Sequence, residues 1–516
     1  MCILSQNKHM PLSDKHRAIV KKILASKVYD VAIVSPLDHL KNFSEEFQNT
    51  VYLKREDAQP VHSFKLRGAY NKISQLSEDK RQAGVIAASA GNHAQGVAFS
   101  CQHLGIQATI VMPITTPPIK VDAVKRYGAK VILHGDSYDY AYQEALSIAT
   151  KEKLSFVHPY DDEDVIAGQG TIAKEVLDVL HGDIDYIFIP VGGGGLFAGM
   201  LTYIKTVFPK IKVIAVEAED SACLHEALKQ GKRHRLEQVG IFADGVAVKQ
   251  VGKHPFELVK DLCDDTVQVS TDEICAGIKD IYDDIRAVSE PAGALSLAGI
   301  KKYLKKKRIK DKTIVGILSG ANVNFHRLRH ISERAQIGEK EEALFAVEIP
   351  EQRGSFLRFC KYLSGKAITE FNYRYQSEDK AVVFVGIALN DGEAQRQDTH
   401  NYLKKEYKVI DLTDNETAKL HIRYMIGGKT SSIQDEALYR FQFPERPGAL
   451  LNFLVQFGSE FNITLFHYRN HGAAYGRVLA GIEVSDNEKA LFKQRLDQLN
   501  YSYYNESNNP AFDLFL

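Results

Sequence analysis

Between about residue 80 and residue 330 the chain alternates short, nearly continuous apolar runs with helical stretches. The runs are Val85-Ile86-Ala87-Ala88, Ala108-Thr109-Ile110-Val111, Lys130-Val131-Ile132-Leu133, Tyr186 to Val191, Val213 to Val216 and Thr313 to Leu318. Ala94 to Leu104 and Ile119 to Tyr127 are two of the helical stretches. A strand with no polar face must be covered on both sides, and helices between parallel strands do that, so an α/β fold with parallel sheets is expected. The run ending at Val191 passes straight into Gly192-Gly193-Gly194-Gly195, and Leu196 to Leu201 then reads as a helix. Strand, glycine loop and helix, in that order, present bare N–H groups to an anion at a helix N-terminus. In such sheets ligands bind where strand C-termini meet helix N-termini.

The order does not by itself identify the anion. A nucleotide phosphate is one reading, although the chain lacks G-x-x-x-x-G-K-[ST], and the glycine run is not the dinucleotide fingerprint. Lys65, in His62-Ser63-Phe64-Lys65-Leu66-Arg67-Gly68, narrows the choice. Taken alone it is a solvated surface lysine. A lysine that forms an imine needs a walled position and a depressed pKa, because only the neutral amine attacks a carbonyl. Together, lysine and glycine loop suggest pyridoxal 5′-phosphate (PLP), with one residue for the aldehyde and a loop for the phosphate. The chemistry expected is carbanion formation at the Cα of an amino acid, with the ring as electron sink.

The length of 516 residues suggests two to four domains with a large core. Lys plus Arg number 65 and Asp plus Glu number 65, so no net field draws the chain to nucleic acid or an anionic membrane. No apolar stretch reaches the ~18 residues of a membrane span. Met1 to Met10 lacks the apolar core and cleavage site of a signal peptide. Cys2, Cys101, Cys223, Cys263, Cys275 and Cys360 are scattered without CxxC spacing, which argues against zinc or a disulfide framework and fits a reducing cytoplasm. The basic run Lys301, Lys302, Lys305, Lys306, Lys307 and Arg308 reads as a solvated helix end.

Past residue 335 the character changes. Arg334 to Glu342 is polar and charged, and 336–342 is expected as a linker. The chain then repeats itself. Ala343-Leu344-Phe345, Ile349-Pro350-Glu351, Gly354 and Phe356-Leu357 return as Ala437-Leu438-Tyr439, Phe443-Pro444-Glu445, Gly448 and Leu450-Leu451. Ile368-Thr369, Phe371 and Tyr373-Arg374 return as Ile463-Thr464, Phe466 and Tyr468-Arg469. Each unit reads strand, turn, helix, two strands and helix, which predicts two βαββαβ-like repeats over 343–413 and 437–507. Neither carries a nucleophile or metal cluster, so sensing or assembly is their expected role. Phe345, Tyr373, Tyr439 and Tyr468 are placed either in an effector pocket or, more commonly for aromatics, in the core.

The motifs Ser63 to Ala69, Ser89-Ala90-Gly91-Asn92-His93-Ala94-Gln95-Gly96, Gly192 to Leu196, Glu290-Pro291-Ala292-Gly293 and Ser319-Gly320-Ala321-Asn322 resemble those of fold-type II PLP enzymes. More narrowly, the whole chain resembles the biosynthetic branch of the serine/threonine dehydratase family. That resemblance implies a catalytic domain of two subdomains over 1–335, the smaller at about 60–160, followed by an α+β regulatory domain of two ACT-like repeats. It implies that Lys65 holds the cofactor as an imine, that Asn92 bonds the ring's phenolic oxygen and that Ser319 faces the pyridine nitrogen. Gly192, Gly193, Gly194, Gly195 and Leu196 would cradle the phosphate. A neutral hydroxyl at the ring nitrogen weakens the electron sink and suits elimination.

Ser89, Ala90, Gly91 and His93 would bind the substrate carboxylate with Asn92, which also suits a helix N-cap. His93 is expected to support the loop, Glu290 to act behind the site, and Arg67 to pair with an acid near the lysine. The implied reaction is PLP-dependent deamination of L-threonine to 2-oxobutanoate and ammonia. Lys65 takes the Cα proton, and the cofactor phosphate is a candidate acid for the leaving hydroxyl. Isoleucine as inhibitor, valine as activator and a homotetramer are implied as well. Racemases of this fold carry a serine where this chain has Ala90, and their metal site does not map onto Glu217 to Cys223, so elimination without a required metal is expected. The alternatives are a catabolic threonine/serine dehydratase, which typically lacks two long C-terminal repeats, and a catalytically silent PLP-fold sensor.

Overall fold

The computed structural model describes residues 12–375, 379–425, 427–428, 433, 435–444, 449–457, 460–469, 475–499 and 501–515. The chain divides into two units, Met1–Ala335 and Gln336–Leu516. The first contains β1 (Leu37–His39), β2 (Thr50–Arg55), β3 (Val85–Ala88), β4 (Ala108–Met112), β5 (Lys130–Leu133), β6 (Ser155–Phe156), β7 (Tyr186–Pro190), β8 (Lys212–Ala218), β9 (Asp265–Val269) and β10 (Thr313–Leu318).

These strands form two sheets. The larger has the order β1-β2-β10-β7-β8-β9, and the smaller β5-β4-β3-β6. Only β1 runs antiparallel; the other pairings in both sheets are parallel. The six apolar runs read from the sequence are strands; five are largely buried, as strands covered by helices on both faces must be, whereas the edge strand β5 is half-exposed. Phe188, Ile214 and Val216 pack on the helix Pro291–Lys307 side, whereas Ile187, Ile189 and Ala215 pack toward helices Glu163–Leu180 and Gly195–Val207. The smaller sheet has its own core around Val85, Ala87, Val97, Ile110 and Met112. Helix Lys65–Ile73 crosses helix Glu163–Leu180 with no room for side chains between them: a methyl group on Gly168 would lie 2.6 Å from the Arg67 carbonyl oxygen.

The second unit holds β11 (Glu342–Pro350), β12 (Ile368–Arg374), β13 (Lys380–Ala388), β14 (Lys408–Asp411), β15 (Glu436–Pro444), β16 (Asn462–Arg469), β17 (Tyr475–Glu483) and β18 (Ser502–Asn505). All eight join one antiparallel sheet in the order β14-β11-β13-β12-β16-β17-β15-β18. Each repeat contributes the same four-strand order, and β12 meets β16 at the centre, Asn372 opposite His467. Two βαββαβ units therefore share one sheet, with a register shift at the same place in each, near Ile368 and Ile463. Phe345, Tyr373 and Tyr468 are buried in the core of this unit, and Tyr439 packs on its rim. Glu445 and Gly448, counterparts of Glu351 and Gly354, lie outside the described residues, as do Met1 to Met10.

Two expectations need correction. The segment 336–342 is mostly not a linker: helix Arg327–Gly338 runs into it and Glu342 begins β11. The basic run is not uniformly solvated. Lys301 is buried and reaches Asp280 at 2.9 Å, because on helix Pro291–Lys307 it falls on the face turned to helix Thr271–Ile285; Lys305 to Lys307 are exposed. Among the described residues, no helix is long and apolar enough to cross a membrane.

Candidate active site

The C-terminal ends of β3, β7 and β10 and the segment before helix Lys65–Ile73 bring the candidate residues together. Lys65 is the first residue of that helix. The residues before it are stitched to those after β10: Ser63 bridges Gly320, the Phe64 N–H donates to the Ser319 carbonyl at 3.2 Å, and the Ala321 N–H donates to the His62 carbonyl at 3.0 Å. Lys65 Nζ donates to the Pro159 carbonyl at 3.1 Å. Its side chain is only half-buried, yet the packing around the amine is dense. Desolvation lowers its pKa to about 8, against the opposing pull of Glu290. The amine is thus much closer to its neutral, nucleophilic form than a surface lysine.

After β3, residues Ser89 to Asn92 form a half-buried loop, and Ser89 Oγ accepts the Gly91 N–H at 3.2 Å. Gly91, not Asn92, caps the following helix, Asn92–Leu104. The Asn92 side chain cannot serve as a cap because it is held elsewhere: its Nδ2 donates to Glu290 Oε1 at 2.7 Å and its Oδ1 accepts from Asn322 at 2.7 Å. His93 Nε2 is 2.8 Å from the Val157 carbonyl, which ties the loop to the segment just after β6. Burial, and then the charge of Lys65, push the His93 pKa down to about 3, so its imidazole is neutral and Nε2 carries the proton toward Val157. Its buried Nδ1 has no partner among the described residues.

The glycine loop follows β7. Gly194 has φ +91°, a backbone region that side chains avoid, and Gly195 begins helix Gly195–Val207. Among the described residues, the N–H groups of Gly192 to Gly195 donate to no main-chain carbonyl. The Leu196 N–H lies in the first turn, where no intrahelical acceptor exists. A Cβ on Gly193 would come within 2.2 Å of the Tyr160 ring, so that ring walls the loop. Five donors without a main-chain partner among the described residues, at a helix N-terminus, fit a phosphate. Lys65 Nζ bonds the Pro159 carbonyl, one residue before the Tyr160 ring that walls the loop, and the set fits pyridoxal phosphate.

Ser319 is buried, and its hydroxyl donates to the Ala292 carbonyl at 3.3 Å. Glu290 caps helix Pro291–Lys307, and its carboxyl reaches Asn92. Burial, reinforced by Asp244, raises the Glu290 pKa to about 7. The carboxylate of Glu217 accepts the N–H groups of Leu224 and His225 at 2.8 Å each, which occupies both of its oxygens. Among the described residues no cluster of three or more His, Cys, Asp or Glu is arranged to hold a metal ion.

Sequence reasoning missed several participants. Arg67 does pair with an acid near the lysine, but with two: Glu56 at 2.7 Å and Glu175 at 2.5 Å. Lys54 completes the group 2.6 Å from Glu175, and all four are buried. The signal for Lys54 was its place in Val51-Tyr52-Leu53-Lys54, where a charge in an apolar run calls for a buried partner. Pro159 and Tyr160 had no such signal.

Comparison with known proteins agrees with this geometry. Residues 29–320 match the family model of pyridoxal-phosphate dependent enzymes, and residues 333–422 and 427–516 each match the C-terminal regulatory domain of threonine dehydratase. The L-threonine dehydratase biosynthetic IlvA of Pasteurella multocida is 53% identical over 96% of this chain and 97% of its own length. The protein of the same name from Escherichia coli is 51% identical over 96% of each. The solved structure of the processed form of threonine deaminase isoform 2 from Solanum lycopersicum superposes with a TM-score of 0.62 at 47% identity, covering 63% of this chain and 90% of that one.

Proposed function

The chain belongs to the biosynthetic threonine dehydratases, and we infer from that membership and from its site that it converts L-threonine to 2-oxobutanoate and ammonia, the committed step toward isoleucine. Water leaves in the elimination and is taken up again when ammonia is released, so the products balance threonine alone. The observation that carries the reading is the Lys65 amine, its pKa depressed by burial, bonded to Pro159 next to the Tyr160 ring that walls a loop whose N–H groups have no main-chain partner among the described residues.

Bound in this site, pyridoxal phosphate supplies an electron sink for negative charge at Cα. The chain's residues do the rest. Gly192 to Gly195 and Leu196 hold the phosphate by their N–H groups, and Asn92 donates to the phenolic oxygen. Ser319 offers a neutral hydroxyl at the ring nitrogen, which leaves the ring less protonated than a carboxylate would. Lys65, which would hold the cofactor, would take the proton from Cα as general base. The loop from Ser89 to His93 binds the substrate carboxylate, with His93 neutral so that no second cation competes for it. Ala90 leaves no hydroxyl to return a proton on the opposite face, consistent with elimination without racemisation.

The two regulatory repeats carry the control. Isoleucine is the inhibitor and valine opposes it. A narrow pocket lined by residues of both repeats is our candidate for the effector site: Glu351 would meet the ligand's ammonium, and Phe356, Ile463 and Asn462 are among the residues that line it. Within it Tyr373 donates to Glu351 at 2.6 Å, and the buried Ser355 hydroxyl has no partner among the described residues. The enzyme works in the cytoplasm as a homotetramer. An assay of 2-oxobutanoate from threonine and from serine, with and without isoleucine, tests the whole reading. No oxoacid from either substrate would end it, and turnover indifferent to isoleucine would end the regulatory half.

A further inference from the structure

The last residue of the Ser319-Gly320-Ala321-Asn322 motif has no part in the reaction as described, yet its contacts are directional. Asn322 Nδ2 donates to the Val61 carbonyl at 2.9 Å and to Asn92 Oδ1 at 2.7 Å. Asn92 Nδ2 in turn donates to Glu290 Oε1 at 2.7 Å. A main-chain carbonyl only accepts, so the Asn322 amide must turn its nitrogen toward Val61. That nitrogen's second hydrogen then requires an oxygen from Asn92. With its oxygen committed there, Asn92 must face Glu290 with its nitrogen, and the carboxyl oxygen of Glu290 accepts. An amide side chain rotated by half a turn keeps the same shape, so only its partners decide which end points where. Here the polarity of one fixed carbonyl is passed through two amides to a buried carboxyl. Asn92 is half-buried, and among the described residues one of its two N–H bonds has no acceptor.

We propose that Asn322, acting with Glu290, is a positioning residue that turns the Asn92 amide donor-first toward the cofactor's phenolic oxygen. The proposal rests on the assignment of Asn92 above. A donor there stabilises the anionic oxygen; the reversed amide would set a carbonyl dipole against it. Asn322 thus controls the protonation of the bound cofactor without touching it.

The test uses the full-length protein, stripped of cofactor and titrated with pyridoxal phosphate while absorbance is followed. Asn322→Asp offers acceptors only, so it is repelled by Val61 and demands the nitrogen of Asn92, reversing the amide. It is expected to weaken cofactor binding about tenfold and to lower the fraction of bound cofactor absorbing in the visible at a given pH. Asn322→Ala merely releases the amide and is expected to weaken binding about threefold, with a smaller spectral change. If the Asp variant does not fold, the Ala variant carries the test. Asn322 ties the His62 and Gly320 segments together in any case, and a purely structural role would lower the melting temperature of both variants equally while leaving spectrum and affinity as they are; that result overturns the proposal. Asn92→Ala separates the two claims. If it leaves the spectrum unchanged, the assignment of Asn92 itself falls. If it alters the spectrum while neither Asn322 variant does, only the role of Asn322 falls.

Discussion

Arg67 Nη2 lies 2.7 Å from Glu56 Oε1, with both side chains fully withdrawn from solvent, two residues past the lysine that begins the same helix. Glu175 binds the other side of the guanidinium and is itself held by Lys54, so the two cations and two carboxylates neutralise one another. Such a group adds little net stability when whole, because desolvation offsets attraction. Removing one member is different, since it strands a charge in the core. Arg67→Ala is expected to destabilise the catalytic unit by about 3–5 kcal/mol. Arg67→Lys should recover only part, because an ammonium cannot engage both carboxylates with a planar fork. Urea unfolding of the cofactor-free variants measures both, and a loss near zero for the alanine variant would show the cluster to be dispensable.

The amine of Lys65 should report its own environment through the rate at which the cofactor-free protein captures pyridoxal phosphate. Below its pKa the amine is an ammonium and cannot attack; above it the neutral form accumulates, so the rate rises with pH and levels off. The midpoint is expected at about 8, where burial has brought the pKa. Glu290 pulls the other way, favouring the ammonium, so Glu290→Gln should move the midpoint below that value. Stopped-flow absorbance across pH gives both numbers. A midpoint near the ordinary lysine value of about 10.4 would mean that the amine is solvated.

The fold was legible where burial is uniform. Strands such as β7, covered on both faces, are apolar throughout, and the glycines after it mark where the chain turns at a helix N-terminus. The repeats were legible because two copies of one pattern had to build the two halves of one sheet. β2 escaped because it carries the polar Thr50 and the charged Lys54 and Arg55, and the partner that lets Lys54 be buried, Glu175, lies far along the chain, while Arg55 pairs nearer by with Asp38 and Asp57. Asn92 as a helix cap was misread for a related reason. Local sequence favoured a cap, but Glu290 and Asn322, some two hundred residues away, hold its side chain. Long-range polar pairing leaves little trace in local pattern, whereas apolar periodicity leaves a strong one.

Two ion pairs join helices beside the smaller sheet to one segment beside the larger. Lys120 reaches Asp244 at 2.6 Å, and Asp139 meets Arg235 at 2.9 Å. Arg235, which donates to Asp139, and Asp244, which accepts from Lys120, both lie within residues 235–244. Pairs this exposed contribute about 0.2–1 kcal/mol each. Breaking them should leave stability nearly unchanged and instead loosen the approach of these elements around the substrate. Lys120→Ala with Asp139→Ala is expected to raise KM for threonine roughly two- to fivefold. Added salt should do the same to the unaltered protein but not to the double variant. Steady-state kinetics at low and high ionic strength decides it, and an unchanged KM in the double variant would assign these pairs no role in closure.

Glu351 offers the sharpest test of the regulatory pocket because its carboxyl faces both Tyr373 and the place assigned to the effector's ammonium. Burial raises its pKa, partly countered by the Tyr373 hydroxyl, and an arriving cation would stabilise the charged form that burial disfavours. Glu351→Gln keeps the shape and the Tyr373 contact but removes the charge. A hydrogen bond to a charged group is worth about 1.5–3 kcal/mol, so the isoleucine concentration for half-inhibition should rise by roughly ten- to a hundredfold. Activity without isoleucine should not change, since no residue of the catalytic site is altered. If the glutamine variant were inhibited as before, the ammonium would have to bind elsewhere in the repeats; if basal activity fell with it, Glu351 would be holding the regulatory fold rather than the ligand.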